Sequence, residues 1–239
     1  MREYRWLLLD ADNTLFDFDC AEQTALIRLL THYGLPPTAE LQDCYRSINS
    51  ALWSAFDRGE ITQEKLGLER FYRFFALLGI TGDAQEWNQF YLNSLSDCPV
   101  LLPGAEELCR SLSGKYVLAL ATNGVPFVQR RRLENSPLVP FFGDRVFISG
   151  EMGCRKPEKI FYEKALSRLG ASCQRDKVLA IGDSLSSDIQ GAFNACLDSV
   201  WIRWSHSGSG PAAPTYEVEN LTQLAKLLGA DCSPFSDRS

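Results

Sequence analysis

Trp6-Leu7-Leu8-Leu9-Asp10-Ala11-Asp12-Asn13-Thr14 is the stretch on which the fold turns. Four apolar residues in a row, with no polar alternation, read as a short strand buried on both faces of a parallel sheet. The run stops at two carboxylates spaced i and i+2. In such sheets ligands gather beyond the carboxyl ends of the strands, so Asp10 and Asp12 fall where chemistry would be done.

Working outward, similar runs recur at Val117 to Ala121, Val146 to Ile148, Val178 to Ile181 and Val200 to Ile202. Amphipathic stretches separate the later ones, such as Ile160, Phe161, Lys164, Ala165 and Leu169, closed by Gly170 as a C-cap. Strand alternating with helix predicts an α/β fold with helices on both faces of a parallel sheet. About a hundred residues separate the first run from the second, far more than one crossover helix needs. That interval reads as helical. Leu26, Leu29, Leu30 and Tyr33 form one face, Phe71, Phe74, Phe75 and Leu78 another, and Asp83 with Glu86 suits a capping box. Residues 17–96 are therefore expected to be an inserted helical domain, with 1–16 and 97–239 forming the α/β core. Ser205 to Pro214 reads as a loop, followed by a last short strand and helix.

Composition narrows the function. The 239 residues are 45% hydrophobic and 23% charged, with a net charge of −6, which suits a folded globular chain and offers no basic footprint for nucleic acid. Arg130-Arg131-Arg132 is the densest basic stretch and is expected to be solvated, since neighbours on a helix point apart. No secretory or membrane segment is visible in the sequence. Eight cysteines without a C-x-x-C pair, and only two histidines, argue for reduced thiols in a cytoplasm rather than zinc or disulfides. Nothing in the sequence calls for an obligate protein partner.

Four strand ends carry the chemistry. A carboxylate pair, Asp10 and Asp12, can divide the labour of nucleophile and general acid/base, although a lone D-x-D is also ordinary turn and cap material. Thr122-Asn123-Gly124 offers a hydroxyl and backbone N–H groups to a phosphate oxygen, and is equally common turn chemistry. Lys156-Pro157, with Pro157 expected in a helix's first turn, puts a cation where phosphate and nucleophile gain charge. Gly182-Asp183-Ser184 adds an acid that can complete an octahedral Mg²⁺ shell with Asp10, a backbone carbonyl and waters. Asp188 can support it, or simply place a charge at the next helix's N-terminus.

The ordered set resembles the haloacid dehalogenase-like (HAD) hydrolases. D-x-D-x-T matches Asp10 to Thr14, the Thr/Ser motif Thr122, the lysine motif Lys156, and G-D-x-x-x-x-D Gly182 to Asp188. The resemblance implies a Rossmann-like core with an inserted all-helical cap that closes over the site. It implies Asp10 as nucleophile and metal ligand, and Asp12 as acid/base that also lends its backbone carbonyl to Mg²⁺. Thr122, Lys156 and the Asn123 backbone N–H would hold phosphate, and Asp183 would complete the metal site. Asp12 sets the chain apart from members that cleave carbon–halogen bonds, which resemble this pattern but lack an acid there. Asp10 to Asp19, Leu52-Trp53, Thr122 to Gly124, and Lys156-Pro157 with Ile160-Phe161 are also similar to the pyrimidine 5′-nucleotidases of the YjjG type. Asn13 and Gly150 depart from that pattern, where Glu and an acid are usual, and Asn13 bears on substrate preference. Phe16 and Phe18 follow the nucleophile closely and are expected at the mouth of the site, facing a base. The expected substrate is a small phosphomonoester. Three other readings are weaker. A phospho-receiver domain needs about half this length, a sugar-phosphate mutase shares the fold, and a nucleotide-binding module lacks G-x-x-x-x-G-K-[ST].

Overall fold

The structure is a computed structural model that describes residues 2–204 and 212–230. Most of the Ser205–Pro214 loop, and Cys232, lie outside the described residues. The chain divides into two compact units, one of residues 1–18 and 100–239 and one of residues 19–99.

The first unit is a six-stranded, wholly parallel sheet. Its strands are β1 (Trp6–Leu9), β2 (Val117–Thr122), β3 (Val146–Ile148), β4 (Val178–Gly182), β5 (Asp198–Ile202) and β6 (Tyr216–Val218), in the order β3-β2-β1-β4-β5-β6. The apolar runs form strands because both faces of the sheet are covered. Leu7 and Leu9 pack with Leu108, Leu112 and Leu224, and Trp6 and Leu8 with Phe161, Ala165 and Leu166. These partners come from α5 (Ala105–Ser113) and α11 (Leu221–Leu227) on one face and α9 (Lys159–Arg168) on the other. Strand order reverses on either side of β1, which opens the crevice where such sheets bind ligands. Leu9 lies level with Leu120 and Ile181, and Asp10 N–H donates to Ile181 O at 2.8 Å, so β1, β2 and β4 end close to the same level.

Between these strands lie α6 (Pro126–Glu134), α7 (Val139–Phe142), α8 (Ser149–Met152) and α10 (Gln190–Asn194). Gly170, at φ +66°, terminates α9, as its freedom in the left-handed region allows. Pro157 is not in the first turn of α9. That helix starts at Lys159 with Glu158 as N-cap, and the Lys156–Pro157 peptide is cis.

The second unit holds most of α1 (Phe18–His32) together with α2 (Ala39–Asp57), α3 (Gln63–Leu78) and α4 (Ala84–Ser96). Thr38, Thr62 and Asp83 cap the last three, each side chain accepting from a backbone N–H of the first turn. The expected stripes are interior: Leu29, Leu30, Phe71 and Phe74 are buried, while Tyr72 faces solvent. The interior also holds a polar knot, in which Asn49 Nδ2 donates to Glu22 at 2.6 Å beside the buried Arg70 and Tyr45. No described helix is long and apolar enough to cross a membrane.

Candidate active site

Asp10 leaves the end of β1 and is buried against Lys156, whose Nζ donates to Asp10 Oδ1 at 2.5 Å, Asp188 Oδ1 at 2.6 Å and Ala121 O at 2.8 Å. An ammonium has three donors, so all three of these are engaged. Lys156 stands here as the charge partner of Asp10 and Asp188, and it would have to release one of these oxygens to bond a phosphate. Burial works against its charge, but Asp10 and Asp188 more than offset this and hold the ammonium well above its ordinary value. Burial pushes the Asp10 carboxyl up to about 7, against the pull of Lys156 and with a further push from Asp188 and Asp12. Burial, with Asp10 and Asp188 beside it, likewise holds the Asp183 carboxyl well above the usual range.

Asp188 is 4% exposed and stands in the first helical turn before α10, as the helix-terminus reading expects, while its Oδ1 also meets Lys156. It sits in a wide helical turn at Leu185–Ile189, and its Oδ2 also accepts from Ser184 N–H at 3.1 Å. Gly182 makes this possible. A Cβ there would stand 2.2 Å from Asp188 Oδ2. The Asn123 side chain clamps the lysine segment from the other side, its Nδ2 donating to Lys156 O at 2.8 Å and its Oδ1 accepting from Lys156 N–H at 2.9 Å.

The loop from Asp10 to Phe16 is tight. Leu15 and Phe16 N–H both donate to Ala11 O, and Asn13 adopts φ +53°. An asparagine tolerates that conformation better than most residues. Asn13 Oδ1 accepts from Phe18 N–H at 3.1 Å at the start of α1, and its carbonyl accepts from Trp204 Nε1 at 2.6 Å. Asn13 thus has a backbone reason to be there.

Two expectations are corrected. Phe16 is 1% exposed, with the Arg132 guanidinium 4.7 Å from its ring centre, so its face is taken. Arg132 is fully buried, whereas the basic run was expected in solvent. Arg131 is exposed, Arg130 is partly exposed in a surface pair with Glu151 at 2.7 Å, and Arg132 alone of the three turns inward. Phe18 is half-buried. Thr122, at the end of β2, is buried, and its Oγ1 accepts from Gly124 N–H at 3.2 Å. Gln129 and Arg132 reach Asp12 from α6; the sequence pointed to no role for Gln129 and to solvent for Arg132. A polar residue on the face shared with Val128 and Leu133 was the available signal.

Asp10, Asp183 and Asp188 each place an oxygen within 4.8 Å of the others. Three carboxylates against one lysine leave an excess of negative charge in a confined place. An all-oxygen donor set of that kind suits a hard divalent cation such as Mg²⁺.

A profile of haloacid dehalogenase-like hydrolases matches residues 4–195. The chain is 39% identical to the pyrimidine 5′-nucleotidase PynA of Streptococcus pneumoniae over 94% of its own length and 95% of that protein. It is 34% identical to the pyrimidine 5′-nucleotidase YjjG of Escherichia coli, covering 95% of this chain and 98% of that one. The crystal structure of the HAD-hydrolase YfnB of Bacillus subtilis, bound to magnesium, superposes with a TM-score of 0.89 at 35% identity, covering 95% of this chain and 99% of that one. The chain belongs to the haloacid dehalogenase-like hydrolase family.

Proposed function

We propose that this hydrolase removes phosphate from small phosphomonoesters, with pyrimidine nucleoside 5′-monophosphates as its substrates. The observation that carries the reading is the meeting of Asp10, Lys156, Asp188 and Asp183 beyond the ends of β1 and β4, with Asp12 and Thr122 beside them. An Asp10 carboxylate oxygen attacks phosphorus, a P–O bond forms, and the bond to the nucleoside 5′-oxygen breaks. Asp12 gives that oxygen its proton, and the nucleoside leaves. Water then attacks the aspartyl-phosphate; Asp12 takes its proton, inorganic phosphate departs, and Asp10 is restored. Thr122 O–H and the Asn123 backbone N–H hold phosphate oxygens, and Lys156 orients Asp10 and works against the burial that raises its carboxyl. Asp10, Asp183 and the Asp12 backbone carbonyl would hold Mg²⁺, with Asp188 fixing the lysine and the metal-side acids; the ion would offset charge on the phosphoryl oxygens.

The helical unit, inserted directly after the Asp10 loop, is proposed as the cap that supplies substrate contacts. Phe18, at the start of α1, remains the aromatic candidate for a base; Phe16 does not. The names of the two nucleotidase relatives support the pyrimidine assignment, and the net charge of −6 supports a small-molecule substrate over nucleic acid. The same reading assigns the reaction to the cytoplasm. A phosphate-release screen across mononucleotides and sugar phosphates tests it. Pyrimidine nucleotides should show the highest kcat/KM; a sugar phosphate turned over better than every pyrimidine nucleotide would remove the nucleotidase assignment.

A further inference from the structure

Helix α6 turns two polar side chains inward, Gln129 at 3% exposure and Arg132 at none. Burying an amide and a guanidinium is costly unless their hydrogen bonds are made. Both are spent on Asp12. Arg132 Nη1 donates to Asp12 Oδ1 at 2.5 Å, and Gln129 Nε2 donates to Asp12 Oδ2 at 2.6 Å. Each carboxylate oxygen therefore has its own donor, which fixes the plane of the group. Arg132 Nη1 also lies 3.3 Å from Gln129 Oε1, and a guanidinium can only donate, so the amide's orientation is set.

The amide has a second N–H, directed to Thr122 Oγ1 at 3.1 Å. That oxygen also accepts from Gly124 N–H. A hydroxyl has two lone pairs and one proton, so with both lone pairs filled Thr122 can act there only as a donor. Gly124 is part of the arrangement. A Cβ on it would fall 2.1 Å from Gln129 Nε2, in the space the amide occupies.

We propose that Gln129 and Arg132 are positioning residues that orient the Asp12 carboxylate and fix the Thr122 hydroxyl as a donor toward the phosphate. This rests on the reading of Asp12 as acid/base and Thr122 as phosphate ligand. One glutamine amide thereby ties the proton-transfer group to the phosphate-binding group, and one buried arginine holds the amide in register.

The test is a double-mutant cycle on the full chain, with uridine 5′-monophosphate as probe. Gln129→Met keeps side-chain length and removes both donors, so kcat/KM should fall by about ten- to a hundredfold, the value of a hydrogen bond to a charged group. In an Asp12→Asn background the same change should cost several-fold less, because only its effect on Thr122 is then left to lose. Gly124→Ala, which pushes the amide off Asp12 without altering any group that bonds it, should reproduce the loss of Gln129→Met. It also replaces that variant in the cycle should Gln129→Met not fold by circular dichroism. Arg132→Lys, which keeps the charge, should retain more activity than Arg132→Met. Equal losses from Gln129→Met in both backgrounds would overturn the proposal, since a purely structural role predicts additivity. Full activity of Gln129→Met beside an Asp12→Asn enzyme crippled a hundredfold or so would overturn it alone, leaving the acid/base reading intact. Full activity of Asp12→Asn would instead remove the acid/base reading on which it stands.

Discussion

Asp12 and Asp10 are two residues apart in sequence, but their surroundings differ in the way the proposed division of labour needs. Asp10 is buried beside Lys156, while Asp12 is partly exposed and bonded from α6. A group that donates a proton matters most when the leaving oxygen is a poor one. Asp12→Ala should therefore slow aspartyl-phosphate formation from a nucleoside monophosphate at least about tenfold more than from p-nitrophenyl phosphate. Single-turnover measurements with both substrates check this; equal losses would leave Asp12 a structural role only. Phe18→Ala should raise KM for the nucleotide by about ten- to a hundredfold, the worth of one stacked base, with little change for p-nitrophenyl phosphate. A uniform rise for both would place the base elsewhere. Asp10, Thr122 and Asp183 could be read from sequence because each closes or follows an apolar run that marks a strand end, and Lys156 because its Lys-Pro pair precedes the Ile160-Phe161 helix. Gln129 could not. Its meaning depends on which face of α6 turns inward, and on a bond to a residue 117 positions away. Asn123 was legible as part of a turn, yet the pair of hydrogen bonds from its side chain to the Lys156 backbone spans 33 residues and leaves no local trace.

At the scale of elements, strands were read more closely than helices. β1 and β3 run as expected, while β2 extends through Thr122, β4 through Gly182, and β5 starts two residues early at Asp198. A strand buried on both faces announces itself by composition alone. Helix α6 misled for the opposite reason: three arginines in a row look solvated, yet a step of about 100° per residue sends one of them inward. The interior of the helical unit holds a similar surprise in Glu22. Burial pushes its carboxyl up to about 7, against the Asn49 hydrogen bond and with a push from Asp19. Unfolded, it would titrate near 4.5, so between these values the folded chain holds the extra proton. Its contribution is therefore fully present below about pH 4.5 and lost as pH rises through about 7. Glu22→Gln, neutral throughout and still an acceptor for Asn49, should gain up to about 3 kcal/mol over the wild type at pH 8 relative to pH 4.5. Denaturant melts at both pH values check this, and a difference independent of pH would contradict it.

Across the whole molecule, strand order brings residues from 10 to 188 together at one end of the sheet, beside the point where the order reverses. The order of the motifs was legible because β1, β2 and β4 each run into one, with the lysine motif between the last two. The compensation among them was not. Lys156 answers two carboxylates at once, and Gly182 is a glycine because Asp188 fills its side-chain space. With three carboxylates facing one lysine, chelation should abolish turnover and Mg²⁺ should restore it. Ca²⁺, which takes more ligands at longer distances, should restore less than about a tenth. Full activity in excess chelator would remove the metal from the account. Everything proposed for the site hangs on Asp10 as nucleophile. Phosphate release from a nucleoside 5′-monophosphate by purified, folded Asp10→Asn, which keeps the shape and removes the attacking charge, is the decisive measurement. Its kcat should fall by at least about a thousandfold; a variant that keeps more than about a tenth of wild-type turnover would rule out attack by Asp10.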